Sequence, residues 1–227
     1  RHHGGAGSGA RRARMTSSTM VPPVLRLEEF AQRAFLGDRE LVRVTTALEE
    51  AGIIDSHWFT EESRLRGQYL HEAIALHHQD DLAAESLDPG LQPFWAGYVA
   101  FLTERGFMAA GGEHPVHDGI AGYAGRYDLF GQFPALPDTA MDLVDVKTGR
   151  AATWVRLQTA LYRRCLPEVT RCRRWALELP GDGRYRLLSL NLQPGPAHQI
   201  DRQADQRHEQ VGLSAITVAN YKRGWIR

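Results

Sequence analysis

The stretch "MDLVDVKTGR", residues 141–150, places charged side chains inside an apolar run that favours a β-strand. Successive side chains of a strand alternate between its two faces, so Leu143, Asp145 and Lys147 share one face. An acid and a base therefore lie side by side near the end of the strand. Taken alone, the pattern is typical of a solvated strand face with an ion pair. Its meaning depends on partners elsewhere in the chain.

The composition indicates one domain of ordinary globular character. The chain has 227 residues, of which 43% are hydrophobic and 24% charged, and we expect a single domain over residues 21–227. No run approaches the ~18 apolar residues of a membrane span, so no membrane partner is expected. Lys and Arg number 27, as do Asp and Glu. Contact with nucleic acid must then come from a local basic surface.

The two cysteines argue against a metal–thiolate protein, and the N-terminal segment argues against a secretory signal. Cys165 and Cys172 lack a second C-x-x-C pair, which argues against an iron–sulfur cluster or a four-thiolate zinc site and favours a reduced, cytoplasmic setting. Residues 1–20 are rich in Gly, Arg and Ser and contain no apolar signal core. We interpret them as a disordered tail or as sequence upstream of a natural start at Met15 or Met20.

Helical signals come first from residue 21 onward. Thr45 or Thr46 is expected to cap a short helix that stops at Gly52, and Thr60 to cap a longer one over "TEESRLRGQYLHEAIALHHQDD", residues 60–81. Apolar residues at three- and four-residue spacing predict further helices over 91–106 and 153–166, and a last one from about 200 to 221.

Strand signals occupy the middle of the chain. Short β-like pieces over 107–116, 120–133 and 141–149 suggest a meander, and Gly181-Asp182-Gly183 predicts a hairpin between two later strands. The order of elements predicts an α/β (α+β) fold, a central mixed and mostly antiparallel sheet flanked by helices.

Asp128 favours a functional interpretation of residues 141–150. It lies in "AGRYDLFG", on a strand that can pair with the 141–147 strand and bring Asp128 beside Asp145. Two adjacent carboxylates repel each other, and a divalent cation between them relieves the repulsion. Lys147 beside that ion could polarise or deprotonate an attacking water and neutralise charge on phosphorus.

These residues resemble the PD-(D/E)XK nuclease superfamily, in its RecB-like and phage-exonuclease branch. The matching features keep the family's order and cover roughly residues 43–165. They are Gly67 with His71, Glu113, Gly125 with Asp128, "DVKTG" at 145–149, and Gln158 with Tyr162. The resemblance implies a restriction-endonuclease-like fold. The four cysteines of the iron–sulfur members are missing, and so is a phosphate loop for ATP.

The resemblance also implies roles for individual residues. It assigns metal ligation to His71, Asp128, Asp145 and the Val146 carbonyl, and makes Lys147 the catalytic lysine. Glu113 would assist from behind these ligands or bind the metal directly. Mg²⁺ is the expected ion, and an imidazole ligand suits Mn²⁺ as well.

Gln158 and Tyr162 lie four residues apart and therefore share a helix face. Core packing with a polar rim is one interpretation. The other has them orient the metal-site strand and contact the phosphodiester backbone, with Arg150 and Arg156 as further phosphate contacts. Arg163 and Arg164 are weaker candidates of the same kind.

The function implied is a metal-dependent deoxyribonuclease, with DNA as its partner. An exonuclease acting on DNA ends is favoured, in recombination, repair or phage DNA processing, and a recombinase or annealing protein would suit it as a partner. Two alternatives stay open. One is an endonuclease on the same site, and the other is a non-cleaving subunit that binds DNA ends.

Overall fold

A computed structural model of the chain describes residues 23–28, 33–136, 140–166, 171–195 and 198–226. The predicted disordered tail, residues 1–20, lies outside this part. Within it, eight strands form one mixed sheet. They are β1 (Leu25–Glu28), β2 (Arg33–Leu36), β3 (Arg39–Arg43), β4 (Met108–Asp118), β5 (Tyr123–Gln132), β6 (Met141–Lys147), β7 (Cys172–Glu178) and β8 (Arg186–Ser189). This confirms the predicted α/β class.

Five α-helices flank the sheet in the described residues. They are α1 (Val44–Glu50), α2 (Glu61–His77), α3 (Gln92–Arg105), α4 (Val155–Arg164) and α5 (Arg202–Lys222). Of the two largest core clusters, the first joins α1, α4 and α5 to the sheet, and the second joins α2 and α3 to it. None of the helices in the described part of the chain has the length and apolar character needed to cross a membrane.

β5 lies at the centre of the site-bearing part of the sheet. Its whole length pairs with β4 on one edge. The other edge is shared, because β3 pairs in parallel at Tyr123 and Ala124 while β6 pairs antiparallel from Leu129 to Gly131. Between these two contacts, residues 125–128 have no strand neighbour on that edge among the described pairings, and this gap ends at Asp128.

β6 is buried on both faces. Its five central residues are buried, Leu143 in one core cluster and Val144 and Val146 in the other. β7 runs parallel beside it, and β8 returns antiparallel through the turn at 181–183, which confirms the predicted hairpin. The interpretation of the Asp145 face as solvated is excluded, since Asp145 is 3% exposed.

Two expectations for the N-terminal part are wrong. The structure has a three-strand meander, β1 to β3, where helical signals were expected to come first. The strands are four or five residues long, and Gly37-Asp38 makes a two-residue hairpin turn with Gly37 at φ +61°. α1 begins at Val44, so Thr45 and Thr46 lie inside its first turn instead of capping it. β3 continues directly into α1, and the sheet sets where that helix starts.

The other helix signals are confirmed. The Thr60 hydroxyl accepts a hydrogen bond from the Ser63 N–H at the start of α2. Gly106, at φ +61°, ends α3 in the left-handed conformation that glycine favours. α4 falls within its predicted range, and α5 ends one residue beyond the predicted 221. The two helices that matter for the site, α2 and α4, were thus both predicted from local signals.

Candidate metal centre

The site forms where β5 and β6 separate. Leu129 and Val144 are the last paired residues. The next residue beyond this pair is Asp128 on β5 and Asp145 on β6. The Val146 N–H donates a hydrogen bond of 2.6 Å to Oδ2 of Asp128. The Asp128 side chain therefore takes the place of a backbone acceptor and holds the two strand ends together.

α2 delivers His71 to this point from the side of the second core cluster. Nδ1 of His71 lies 2.9 Å from Oε1 of Glu113 and 3.5 Å from Oδ1 of Asp128, and Nε2 lies 3.2 Å from the Val146 carbonyl oxygen. Leu70 and Ile74, buried on either side of His71, anchor this turn of the helix. The imidazole is thus directed at the sheet by core packing of its neighbours.

Glu113 completes the group from β4. It lies between Gly112, which pairs with Leu129, and His114, which pairs with Tyr127, and so stands across from Asp128. Its backbone adopts φ +54°, a left-handed conformation that few non-glycine residues take. One ligand atom each from His71, Glu113 and Asp128 lies within 4.8 Å of the others, which is the spacing of a metal-binding group.

Asp145 and Lys147 form the other half of the site. The Lys147 ammonium lies 2.6 Å from Oδ2 of Asp145, and the two side chains are 22% and 3% exposed. Trp154, just before α4, stacks its ring against the ammonium at 5.4 Å from the ring centroid. Lys147 is therefore enclosed by a carboxylate and an aromatic face.

Burial and neighbouring charges shift the pKa values of the groups at the site. Burial raises the pKa of Asp145 to about 6, although Lys147 attracts the ionised form. Burial likewise raises the pKa of Asp128, against the opposing effect of His71 and Lys147. Burial would lower the pKa of His71, but the charges of Asp128 and Glu113 outweigh it and raise that pKa to about 9. A cation added to this cluster would stabilise its carboxylates.

The predicted ligands are therefore brought to one end of the sheet, but not all into one set. Glu113, expected as an assistant or a direct ligand, is in the described group of donors. The Val146 carbonyl lies against Nε2 of His71, while Glu113 and Asp128 face Nδ1, so its role as a ligand stays a prediction. Asp145 contacts Lys147 instead, so its role as a ligand stays a prediction.

Gln158 and Tyr162 are buried next to the site and are not part of its exposed surface. They are 6% and 4% exposed, and the Gln158 amide donates to the Tyr162 hydroxyl at 2.9 Å. The Tyr162 ring packs against Gly125, where an added Cβ would stand 2.3 Å from Cε1. This packing favours the interpretation in which the pair orients the strand that bears Asp128. A contact with the DNA backbone stays a prediction.

The predicted arginines differ in their surroundings. Arg150 is exposed in the loop after β6. Arg156 donates to the Leu190 carbonyl at 2.7 Å. Arg163 and Arg164 pair with Glu209 of α5, and Arg164 also with Asp118. Arg150 has the surroundings that best suit a phosphate contact.

Two residues at the site were missed from the sequence. Arg126 binds Glu113, and its position two residues before Asp128 was a usable signal because the two share a strand face. The buried carboxylate of Glu178 accepts the Ala151 N–H at 2.8 Å and so holds the loop that follows Lys147. Its relation to Lys147 arises from the parallel pairing of β6 with β7, which no local signal predicts.

Comparison with known proteins gives weak structural similarity. No protein-family model matches the sequence, and no curated protein matches it. A crystal structure of an alkaline exonuclease from Laribacter hongkongensis is 16% identical, with 81% of this chain and 89% of that chain covered and a TM-score of 0.32. For its complex with dAMP the values are 15%, 82%, 95% and 0.35. A protein called SSO0001 gives 15%, 78%, 84% and 0.28. All three TM-scores are below 0.5, so they assign neither fold family nor function to this chain.

Proposed function

We propose that this chain is a metal-dependent deoxyribonuclease of the PD-(D/E)XK type, related to the RecB-like and phage-exonuclease branch. One observation carries the proposal. His71, Glu113 and Asp128 converge within 4.8 Å of one another at the strand end where Lys147 pairs with Asp145. Three donors next to an acid and a base are the parts that metal-assisted hydrolysis of a phosphodiester requires.

The donor set fits Mg²⁺ or Mn²⁺. Two carboxylates and a backbone carbonyl are the oxygen ligands that hard divalent cations prefer, and one imidazole suits Mn²⁺ in particular. The raised pKa values of Asp128 and Asp145 fit a cluster that a cation would relieve. Such an ion, when bound, supplies Lewis-acid chemistry that activates water and offsets charge on the phosphate.

Each residue of the proposed site then has a defined role. His71, Asp128 and the Val146 carbonyl hold the ion, with Glu113 as a direct ligand and Asp145 as a further one. Lys147, ordered by Asp145 and Trp154, polarises or deprotonates the attacking water and balances negative charge at phosphorus. Gln158 and Tyr162 keep the β5 strand in place, and Arg150 contacts a phosphate of the substrate.

DNA processed from an end is the substrate we favour. The proposed setting is cytoplasmic, in recombination, repair or phage DNA processing, with a recombinase or annealing protein as partner. A non-cleaving subunit is disfavoured, because loss of catalysis in such folds usually removes an acid or the lysine, and all of these are present in this chain.

The test compares DNA forms and metal ions. Linear, nicked and covalently closed circular DNA are incubated with Mg²⁺, Mn²⁺ or a chelator, with Lys147→Ala as the matched inactive variant. We expect linear DNA to be degraded with either metal, and closed circles to be spared. Cleavage of closed circles would make the enzyme an endonuclease. Binding of ends without cleavage by the wild-type chain, or cleavage that persists in chelator, would refute the proposal.

A further inference from the structure

Arg126 contacts the site through Glu113. Its Nε donates to Oε2 of Glu113 at 2.9 Å, while the other carboxylate oxygen, Oε1, lies 2.9 Å from Nδ1 of His71. The Arg126 side chain is 32% exposed and that of Glu113 is 16% exposed. Each oxygen of Glu113 is thus directed at a different nitrogen.

The backbone that carries Glu113 departs from regular strand geometry. Its left-handed φ of +54° is a conformation that costs a non-glycine residue about 1 kcal/mol or more. Ala110, three residues before it, is the extra residue where the pairing of β4 with β5 shifts register. The neighbouring Gly112 packs against β5, since an added Cβ would lie 3.1 Å from the Asp128 carbonyl oxygen. The backbone at Glu113 is therefore irregular, and its carboxylate lies between Arg126 and His71.

We propose that Arg126 is a positioning residue of the metal centre, which holds one oxygen of Glu113 so that the other faces His71 and Asp128. The inference rests on the proposed metal-dependent function. Arg126 and Asp128 lie two residues apart on the same face of β5. One strand therefore carries both the donor Asp128 and the residue that orients the donor Glu113.

A positioning role and a purely electrostatic effect of Arg126 predict opposite changes in metal affinity when Arg126 is replaced. A guanidinium near the site repels a divalent cation, so removing it would tighten metal binding if charge alone mattered. A group that orients a ligand strengthens metal binding, and losing such a group weakens affinity by ~10- to 100-fold. The direction of the change on replacing Arg126 therefore separates the two.

The experiment is a calorimetric titration of Mn²⁺ into the metal-free full chain. We expect Arg126→Gln to weaken binding ~10-fold or more, and Arg126→Lys, which keeps the charge but loses the planar fork, to fall in between. Glu113→Gln should also weaken binding, and the double variant should be no weaker than Glu113→Gln, because Arg126 acts through Glu113.

Arg33 supplies a matched control. It also donates through Nε at 2.9 Å to a glutamate on a neighbouring antiparallel strand, Glu40, away from the site. Arg33→Gln makes the same change in charge and should leave the affinity for Mn²⁺ unchanged. Thermal unfolding of each variant in chelator shows that the fold is retained.

The outcomes distinguish this inference from the proposed function. Equal or tighter Mn²⁺ binding by Arg126→Gln, or additive losses in the double variant, overturns the positioning role while wild-type binding leaves the nuclease proposal standing. A wild-type chain without saturable Mn²⁺ binding overturns both.

Discussion

Asp142 and Asp145 lie three residues apart on β6, both are buried, and their surroundings are opposite. Asp142 accepts hydrogen bonds from Nε and Nη2 of Arg173, from the Trp175 indole and from the Phe133 N–H, at 2.7 to 3.1 Å. Among the described residues, Asp145 pairs with one cation, Lys147, and burial raises its pKa to about 6. The first carboxylate is fully paired by the protein, and the second is not.

The comparison separates a structural acid from a functional one. A buried charge is tolerated when donors surround it, and such a group contributes to the fold. A carboxylate held at a buried position with fewer donors is instead available to a ligand. Variants of the two acids should therefore fail in different assays.

The largest effect is expected on cleavage. Asp145→Asn, like Asp128→Ala, should lower the rate of DNA hydrolysis by ~10³-fold or more, since a group of the reacting centre is lost. Asp145→Asn should change the free energy of unfolding in chelator by no more than about 1 kcal/mol, because relief of the buried charge offsets the lost ion pair. Single-turnover rates and urea titrations measure the two quantities. Normal Mg²⁺-dependent hydrolysis by either variant would show that the replaced residue is not needed for catalysis.

The next largest effect is on stability. Asp142→Ala leaves the Arg173 charge buried without its carboxylate, which should destabilise the fold by about 3–5 kcal/mol. Glu72, exposed on α2, supplies the control, and Glu72→Ala should stay within about 0.5 kcal/mol of the wild type. Urea unfolding measures both. A stable Asp142→Ala protein would show that Asp142 does not differ from Asp145 in its contribution to the fold.

A smaller loss is expected at Gly125. An added Cβ would meet the Tyr162 ring at 2.3 Å, so Gly125→Ala should displace the ring and cost about 1–3 kcal/mol. In a double-mutant cycle with Tyr162→Leu the two losses should be less than additive, because the clash is then removed. Additive losses would mean that the ring is not what requires glycine there.

The smallest effect is expected at Gly67, the other glycine of the sequence pattern. An added Cβ would lie 3.6 Å from the Thr148 hydroxyl, an ordinary contact. Gly67→Ala should therefore stabilise α2 by up to about 1 kcal/mol and leave cleavage intact. Melting temperature and cleavage rate check it. A strong loss of activity would show that the space beside Gly67 is needed by substrate.

Local signals in the sequence were sufficient for much of the fold. The Thr60 cap, the Gly106 stop and the β-strand at 141–147 each depend on neighbours a few residues away, and each was confirmed. The strands at 25–43 were missed because they are short and lie at one end of the sheet, where pairing and not composition stabilises them.

The sequence by itself determined the chemical inventory, with Asp128 on β5, Asp145 and Lys147 on β6, and His71 on a helix. Only the tertiary structure decided which of these groups meet. It put Glu113 opposite Asp128, surrounded Asp142 with donors, and kept Asp145 out of the donor group of His71, Glu113 and Asp128. The physical reason is that the pKa and partners of a buried carboxylate depend on strand register and helix approach, which join residues far apart in the chain.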